Sequence, residues 1–196
     1  MSLNNRDFWL CLAASFGVTG MNVAFTGYLP TYLQNSGWQD VTSSLALTLY
    51  LIGGVVGGFI LLMLSDITRL RKLFFIGPAL IWICAVGLLA TLKGNFQIWT
   101  LVLISGFCYG SLLAILALII TEIRGIGTRY AATANSISFA IGGGAGLIFA
   151  VVGGKLALTN AVWPFIFGPL FCLVCIIPFF FTKETGTKNT NINDKE

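Results

Sequence analysis

Six long apolar runs, at roughly 8–34, 41–64, 73–92, 97–120, 131–152 and 161–182, leave this chain few folds to choose from. A helix rises about 1.5 Å per residue, so about 20 mostly apolar residues cross the ~30 Å hydrocarbon core of a bilayer. Each run is long enough. Inside lipid the backbone has only itself to bond, which leaves helices or a closed barrel. Barrel strands alternate apolar and polar side chains with period two, and these runs do not. The expected fold is therefore all-α, an integral membrane bundle of six helices. Breaks fall at Asn35-Ser36-Gly37, 65–72, Lys93-Gly94-Asn95, 121–130 and 155–160. Residues 1–7 form a short leading segment, and the polar stretch 183–196 reads as a disordered tail. No cleavable signal peptide is expected, because the first run is too long and no small-residue cleavage site follows it.

Composition agrees. Hydrophobic residues make up 57% of the 196, charged residues 9%, and the mean hydropathy is +0.90, whereas soluble domains carry about a quarter charged residues. The lipid bilayer is the first partner implied. The net charge of +4 does not point to nucleic acid, because the basic residues sit in separate short segments. Their distribution sets an orientation instead. Arg6, Arg69, Arg71, Lys72, Arg124, Arg129, Lys183, Lys188 and Lys195 fall on one side, and only Lys93 and Lys155 on the other. Loops rich in Lys and Arg stay in the cytoplasm, so both termini are expected there, in a cell (plasma or inner) membrane.

The runs exclude most catalysis. There is no histidine, and the acids Asp7, Asp40, Asp66, Glu122, Glu184, Asp194 and Glu196 lie at helix ends, in loops or in the tail. Intramembrane carboxylates mark proton and ion relays, and none is present. A hydrolase needs a nucleophile with a base, or a metal held by His and carboxylates. Neither assembles from these residues, so no enzyme, metal or cofactor is expected. Cys11, Cys84, Cys108, Cys172 and Cys175 all lie in apolar runs, where thiolates are disfavoured and packing is the expected role.

Polar residues in the runs fall on stripes. Ser15, Thr19, Asn22 and Thr26 are spaced four, three and four apart, as are Asn135, Ser138, Gly142 and Gly146 with gaps of three, four and four; Ser105 and Tyr109 make a shorter pair. Such spacing puts side chains on one helical face. Two readings stay open: hydrogen-bonded glue between helices, or the wall of a water-filled solute cavity. The solute-cavity candidates are Thr19, Asn22, Thr26, Tyr109, Asn135 and Ser138. Gly53, Gly54, Gly57 and Gly58, with Gly142 and Gly146, form small-xxx-small patterns that let backbones approach closely, within this bundle or against a second one. The sixth run, bulky and aromatic all round, is expected to face lipid, as is much of the third.

These features resemble the C-terminal six-helix half of a major facilitator superfamily transporter, in four places. Leu64-Ser65-Asp66-Ile67-Thr68-Arg69-Leu70-Arg71-Lys72 is similar to the superfamily's loop signature, an acid followed by a basic cluster. The glycines usual in that signature are replaced here by Leu62 and Arg69. Glu122 and Arg129, with Tyr130-Ala131-Ala132-Thr133-Ala134-Asn135 behind them, resemble the acid-x6-Arg segment opening the eleventh helix of many carriers. Lys183-Glu184-Thr185-Gly186 resembles the element after the last helix, and Gly20-Met21-Asn22 with Tyr28-Leu29-Pro30-Thr31-Tyr32-Leu33 resembles the seventh helix of sugar and organic-acid carriers.

The resemblance implies alternating access, with a small organic solute bound between two six-helix halves. The paired glutamines usual in sugar porters are replaced by Phe16 and Gly17. The Tyr-Leu-Pro-Thr-Tyr-Leu run leans toward an organic acid or similar metabolite. It also implies a cytoplasmic gate in which Asp66, Glu122 and Glu184 meet Arg71, Lys72 and Arg129. A second half is required, and two parallel repeats are topologically compatible. It is expected from a second copy of the chain or from a separately encoded N-terminal half. The competing expectation is a non-transporting membrane partner or a truncated transporter fragment.

Overall fold

The computed structural model describes residues 6–92, 94–123, 127–160 and 162–182, and those residues contain six helices and no strand. They are α1 (Arg6–Asn35), α2 (Asp40–Thr68), α3 (Arg71–Leu89), α4 (Asn95–Glu122), α5 (Gly127–Thr159) and α6 (Trp163–Ile176), followed by a 3-10 turn at Ile177–Phe181. Each of the six is long and apolar enough to cross a membrane, the last when its 3-10 turn is counted with it as Trp163–Phe180. The tail at 183–196, and with it Glu184, lies outside the described residues, as do the side chain of Arg129 and Lys93.

Local chemistry sets the ends. Between α1 and α2 the chain turns at Gly37, whose φ of 90° suits a residue without a Cβ. Its N–H donates to the Gln34 carbonyl at 2.9 Å. Asp40 opens α2, where a negative charge meets the positive end of the helix dipole. At the other end of α2, Arg69 closes the helix in the left-handed conformation (φ 56°, ψ 23°) and donates its N–H to the Ser65 carbonyl. At the chain's end Pro178, lacking an N–H, coincides with the change from α to 3-10 geometry. Two boundaries differ from the hydropathy reading. The fifth helix continues from 152 to Thr159, through Gly153, Gly154 and Lys155. Backbone hydrogen bonding carries it on where apolarity stops, and Tyr28 packs against Gly153 and Gly154. The fourth break is likewise shorter than 121–130, because α4 runs to Glu122 and α5 begins at Gly127.

Two helices sit at the centre. α1 packs on α5 and α6, and α4 packs on α2 and α3, with smaller contacts joining α1 to α2 and α4 to α5. Exchanging α1–α3 for α4–α6 leaves this pattern of neighbours unchanged, as expected of two three-helix repeats. α3 and α6, expected to face lipid, expose Leu73, Ile81 and Leu88, and Leu170 and Val174, respectively. Each buries one face: Phe75, Ala79, Trp82 and Val86 on α3, and Phe165, Gly168, Cys172 and Ile176 on α6. The bulky rings find partners across the bundle, Phe75 on Phe179 at 4.3 Å and Phe165 on Tyr32 at 4.9 Å between centroids. α2 is the least enclosed helix, with Leu51, Val55, Phe59 and Met63 exposed, and α5 follows with Phe139, Leu147 and Val151 exposed.

Candidate functional site

The α2–α4 seam is made of backbone. A Cβ at Gly106 would be driven into the carbonyl of Tyr50, one at Gly110 into that of Gly54, and one at Gly57 into that of Phe107. Gly53 lies against Leu103 and Phe107, and Gly58 against the Gly110 carbonyl. Small residues here allow two helices to meet with almost nothing between them. The contact also fixes Tyr50 and Tyr109, each next to a seam glycine in space or sequence.

The α1–α5 seam uses pegs instead. Ser15 Oγ donates to the Ser138 carbonyl at 3.1 Å. Thr19 fills the space over Gly142, and Val23 the space over Gly146. Tyr28 Oη donates to the Ala150 carbonyl at 2.6 Å. Partners advance together along both helices, so α1 and α5 run parallel. Four of the stripe residues, Ser15, Thr19, Ser138 and Gly142, therefore meet in one helix–helix contact.

Asn22 leaves that seam and faces α2. Its Oδ1 accepts from Tyr50 Oη at 2.7 Å. Tyr50 is buried, with its ring stacked on Tyr109 at 5.9 Å and 21°. Phe25 lies against the other side of Tyr50 at 5.0 Å, and Trp82 lies against Tyr109 at 5.3 Å. Four helices thus contribute to one cluster of an amide, two phenols and an indole near mid-membrane. Asn22 and Tyr109 are its half-buried members. Two buried polar atoms of the described residues have no protein partner, Trp82 Nε1 and Ser105 Oγ, and both lie on the α3 and α4 side of this cluster. A buried N–H left unbonded costs about 1–3 kcal/mol, which makes the Trp82 indole a donor without an acceptor beside Tyr109. The remaining candidates lie apart. Thr26 Oγ1 donates back to the Asn22 carbonyl at 2.9 Å within its own helix. Asn135 Nδ2 donates to the Ala117 carbonyl of α4 at 3.4 Å.

Tyr50 and Trp82 escaped the sequence reading. A lone aromatic in an apolar run carries no signal of its own. The available hint was Tyr50 three residues before Gly53, since the ring must lie beside a glycine-lined contact.

At the other end of the bundle, Arg71 joins three helices. Its guanidinium pairs with Asp66 at the end of α2 and, through Nη2, with Glu122 Oε1 at 3.0 Å at the end of α4. Nε also donates to Glu122 Oε2 at 3.4 Å, which makes a two-pronged contact, and Nη1 reaches Ser65 Oγ at 3.3 Å. Fork-to-carboxylate geometry suits Arg and not Lys. Two carboxylates also offset the unfavourable placing of a cation at the N-terminus of α3. Arg71 is 11% exposed in its side chain, against 55% for Asp66 and 30% for Glu122. Lys72 turns away from them, and its Nζ donates to the carbonyls of Phe180 and Thr182, the latter at 3.1 Å. It so ties α3 to the end of the 3-10 turn.

Comparison with known proteins agrees with this architecture. A family model described as the Major Facilitator Superfamily matches residues 10–196. No curated protein matches the chain.

Proposed function

Because the chain belongs to the Major Facilitator Superfamily, a family of membrane transporters and not of enzymes, we propose that it forms one half of an alternating-access carrier for a small organic acid or similar metabolite. The observation that carries this reading is the Asn22–Tyr50–Tyr109–Trp82 cluster. Three of its four side chains are hydrogen-bonding aromatics and the fourth is an amide. An amide near mid-membrane is costly unless bonded. Tyr50 satisfies its Oδ1 and orients the group, while Asn22 and Tyr109 stay partly open. Thr26 and Asn135, bonded to the carbonyls of Asn22 and Ala117, extend the wall from α1 and α5, and Thr19 and Ser138 support it from within the α1–α5 contact. No cation lies within the described spans near it, so the counter-charge for a carboxylate comes from the other half.

The least enclosed helices, α2 and α5, present the apolar faces for that second half, either a second copy or a separate N-terminal half. In this reading the Arg71–Asp66–Glu122 hub acts as a gate latch at the cytoplasmic side, closed when the carrier opens outward, with Lys72 bracing the end of the 3-10 turn beside it and Arg129 and Glu184 proposed as its further members. Both termini are then cytoplasmic, in a cell membrane.

The test is uptake of a panel of labelled mono- and dicarboxylates by cells producing the chain, with its native mass measured after gentle extraction. The expected results are accumulation of at least one acid and a tenfold or greater loss on Asn22→Ala at unchanged membrane level. A mass of twice the chain, or one with a second polypeptide, is also expected. A lone monomer, or Asn22→Ala that loses the protein and not merely the uptake, sinks the proposal in favour of a packing role.

A further inference from the structure

Between α2, α3 and α4, on the side away from Asn22, the bundle has an open groove of ≈380 Å³. Its floor is Ile104 and Phe107 of α4, and its walls are Leu61 of α2 with Leu73, Gly77 and Ile81 of α3. Every lining side chain is apolar. Gly77 makes the concavity, because a Cβ there would have nothing within 4 Å. Bundle grooves of this size are large enough for part of a ligand, and this one opens where Leu73 and Ile81 are exposed, 61% and 53%.

We propose that this groove holds one acyl chain of an anionic phospholipid from the leaflet at the Arg69 end. Length argues for a lipid tail and not a helix. From Leu73 to Ile81 a helix rises about 12 Å, close to the ~15 Å of hydrocarbon in one leaflet. A partner helix is about 10 Å across and needs a groove running the full membrane. Charge argues for an anionic headgroup. The groove begins four residues beyond Arg69, an exposed cation just ahead of α3, whose own first residues Arg71 and Lys72 already bond Asp66, Glu122 and the carbonyls of Phe180 and Thr182. Basic groups just outside a membrane helix attract anionic lipid. Arg69, with its left-handed backbone, sits at the corner between α2 and α3, the two helices whose Leu61 and Leu73 line the groove.

Native mass spectrometry tests this on the full chain in its extracted assembly, stripped of lipid and titrated with palmitoyl-oleoyl phosphatidylglycerol or phosphatidylcholine. One phosphatidylglycerol per chain is expected to survive conditions that remove the rest. Gly77→Leu, which fills the groove without a clash, is expected to weaken that retention at least tenfold with helix content unchanged. Ile81→Phe narrows the same groove from an exposed position and gives the same result where Gly77→Leu does not fold. Arg69→Gln is expected to keep the lipid but lose the preference for phosphatidylglycerol. Equal retention by wild type and both filled variants overturns the proposal. So does a doubled mass that the filled variants abolish, since the occupant is then a second copy of this chain.

Discussion

The two parallel seams do the same job with different materials. α2 and α4 meet glycine to carbonyl, along Gly53, Gly54, Gly57, Gly106 and Gly110. α1 and α5 meet through side chains set into hollows, with Thr19 over Gly142, Val23 over Gly146 and Tyr28 over Gly153. A backbone carbonyl cannot step aside, because its helix is held by every hydrogen bond around it. A valine or threonine can turn about χ1. The α2–α4 pair is therefore the stiff element that carries Tyr50 and Tyr109, and the α1–α5 pair is the one able to slide. The cluster proposed to recognise solute sits where the two meet, with Asn22 on the adjustable side and Tyr50 on the rigid side.

The largest expected effect tests the stiff seam. Gly110→Ala drives a methyl into the carbonyl of Gly54, and neither helix can yield locally. Overpacking of this kind costs about 3 kcal/mol, well above the helix-propensity gain of up to about 1 kcal/mol for Gly→Ala. Most of the protein is expected to be lost from the folded fraction in a detergent unfolding titration. A titration midpoint equal to wild type would mean that the seam is looser than its geometry.

How much of this was legible beforehand follows from which interactions are periodic. Hydropathy shows the six spans, because burial in lipid repeats over 20 residues. The glycine repeats at 53–58 marked a close contact, but not which helix answered it; the partners Gly106 and Gly110 sit in a run with no doubled glycine. The polar stripe of α1 was visible, yet its members separate in space, because a helical face about a third of the circumference wide touches two neighbours at once. Ser15 and Thr19 go to α5, and Asn22 goes to Tyr50. No local spacing pairs Arg71 with Glu122, 51 residues apart; only the resemblance placed both in one charge cluster, among three acids and three cations. In the sixth span aromatic bulk did not show which face meets acyl chains and which, like Phe165 against Tyr32, meets other rings.

The Arg71 hub ties down the rigid side, at the ends of α2, α3 and α4. Glu122→Gln removes one charge from a two-pronged contact and leaves Asp66 in place. Charge-assisted hydrogen bonds are worth about 1.5–3 kcal/mol when protected, less here because Glu122 is 30% exposed. A net ~1 kcal/mol is expected, which is about a fivefold shift toward the inward-open state. Cytoplasmic labelling of a cysteine placed at Ser136 on α5 reads it, and unchanged labelling rates would separate the hub from gating.

A smaller change of opposite sign lies at the same corner. Arg69 has a left-handed backbone, which costs a residue with a Cβ about 1 kcal/mol relative to glycine. Arg69→Gly is therefore expected to raise the thermal midpoint in detergent by a few degrees. It restores the glycine usual at this point of the superfamily's loop signature. A lowered midpoint would show that the Arg69 side chain contributes more than its backbone costs.

The smallest effect is the sharpest test of the comparison. Gly146→Ala places a methyl 2.8 Å from Val23 Cγ2, a contact as tight on paper as several in the other seam. Here the neighbour is the tip of a side chain, and a rotation of Val23 relieves it at a cost of roughly 1 kcal/mol. Replacing a mid-helix glycine by alanine returns about the same amount. The two contributions nearly cancel, so the unfolding midpoint should move by less than about 0.5 kcal/mol. Because the methyl narrows the hollow that Val23 slides through, uptake should fall even though stability holds. If Gly146→Ala unfolds the protein as Gly110→Ala does, the two seams are equally stiff. Recognition and movement would then have to be sought within the helices and not between them.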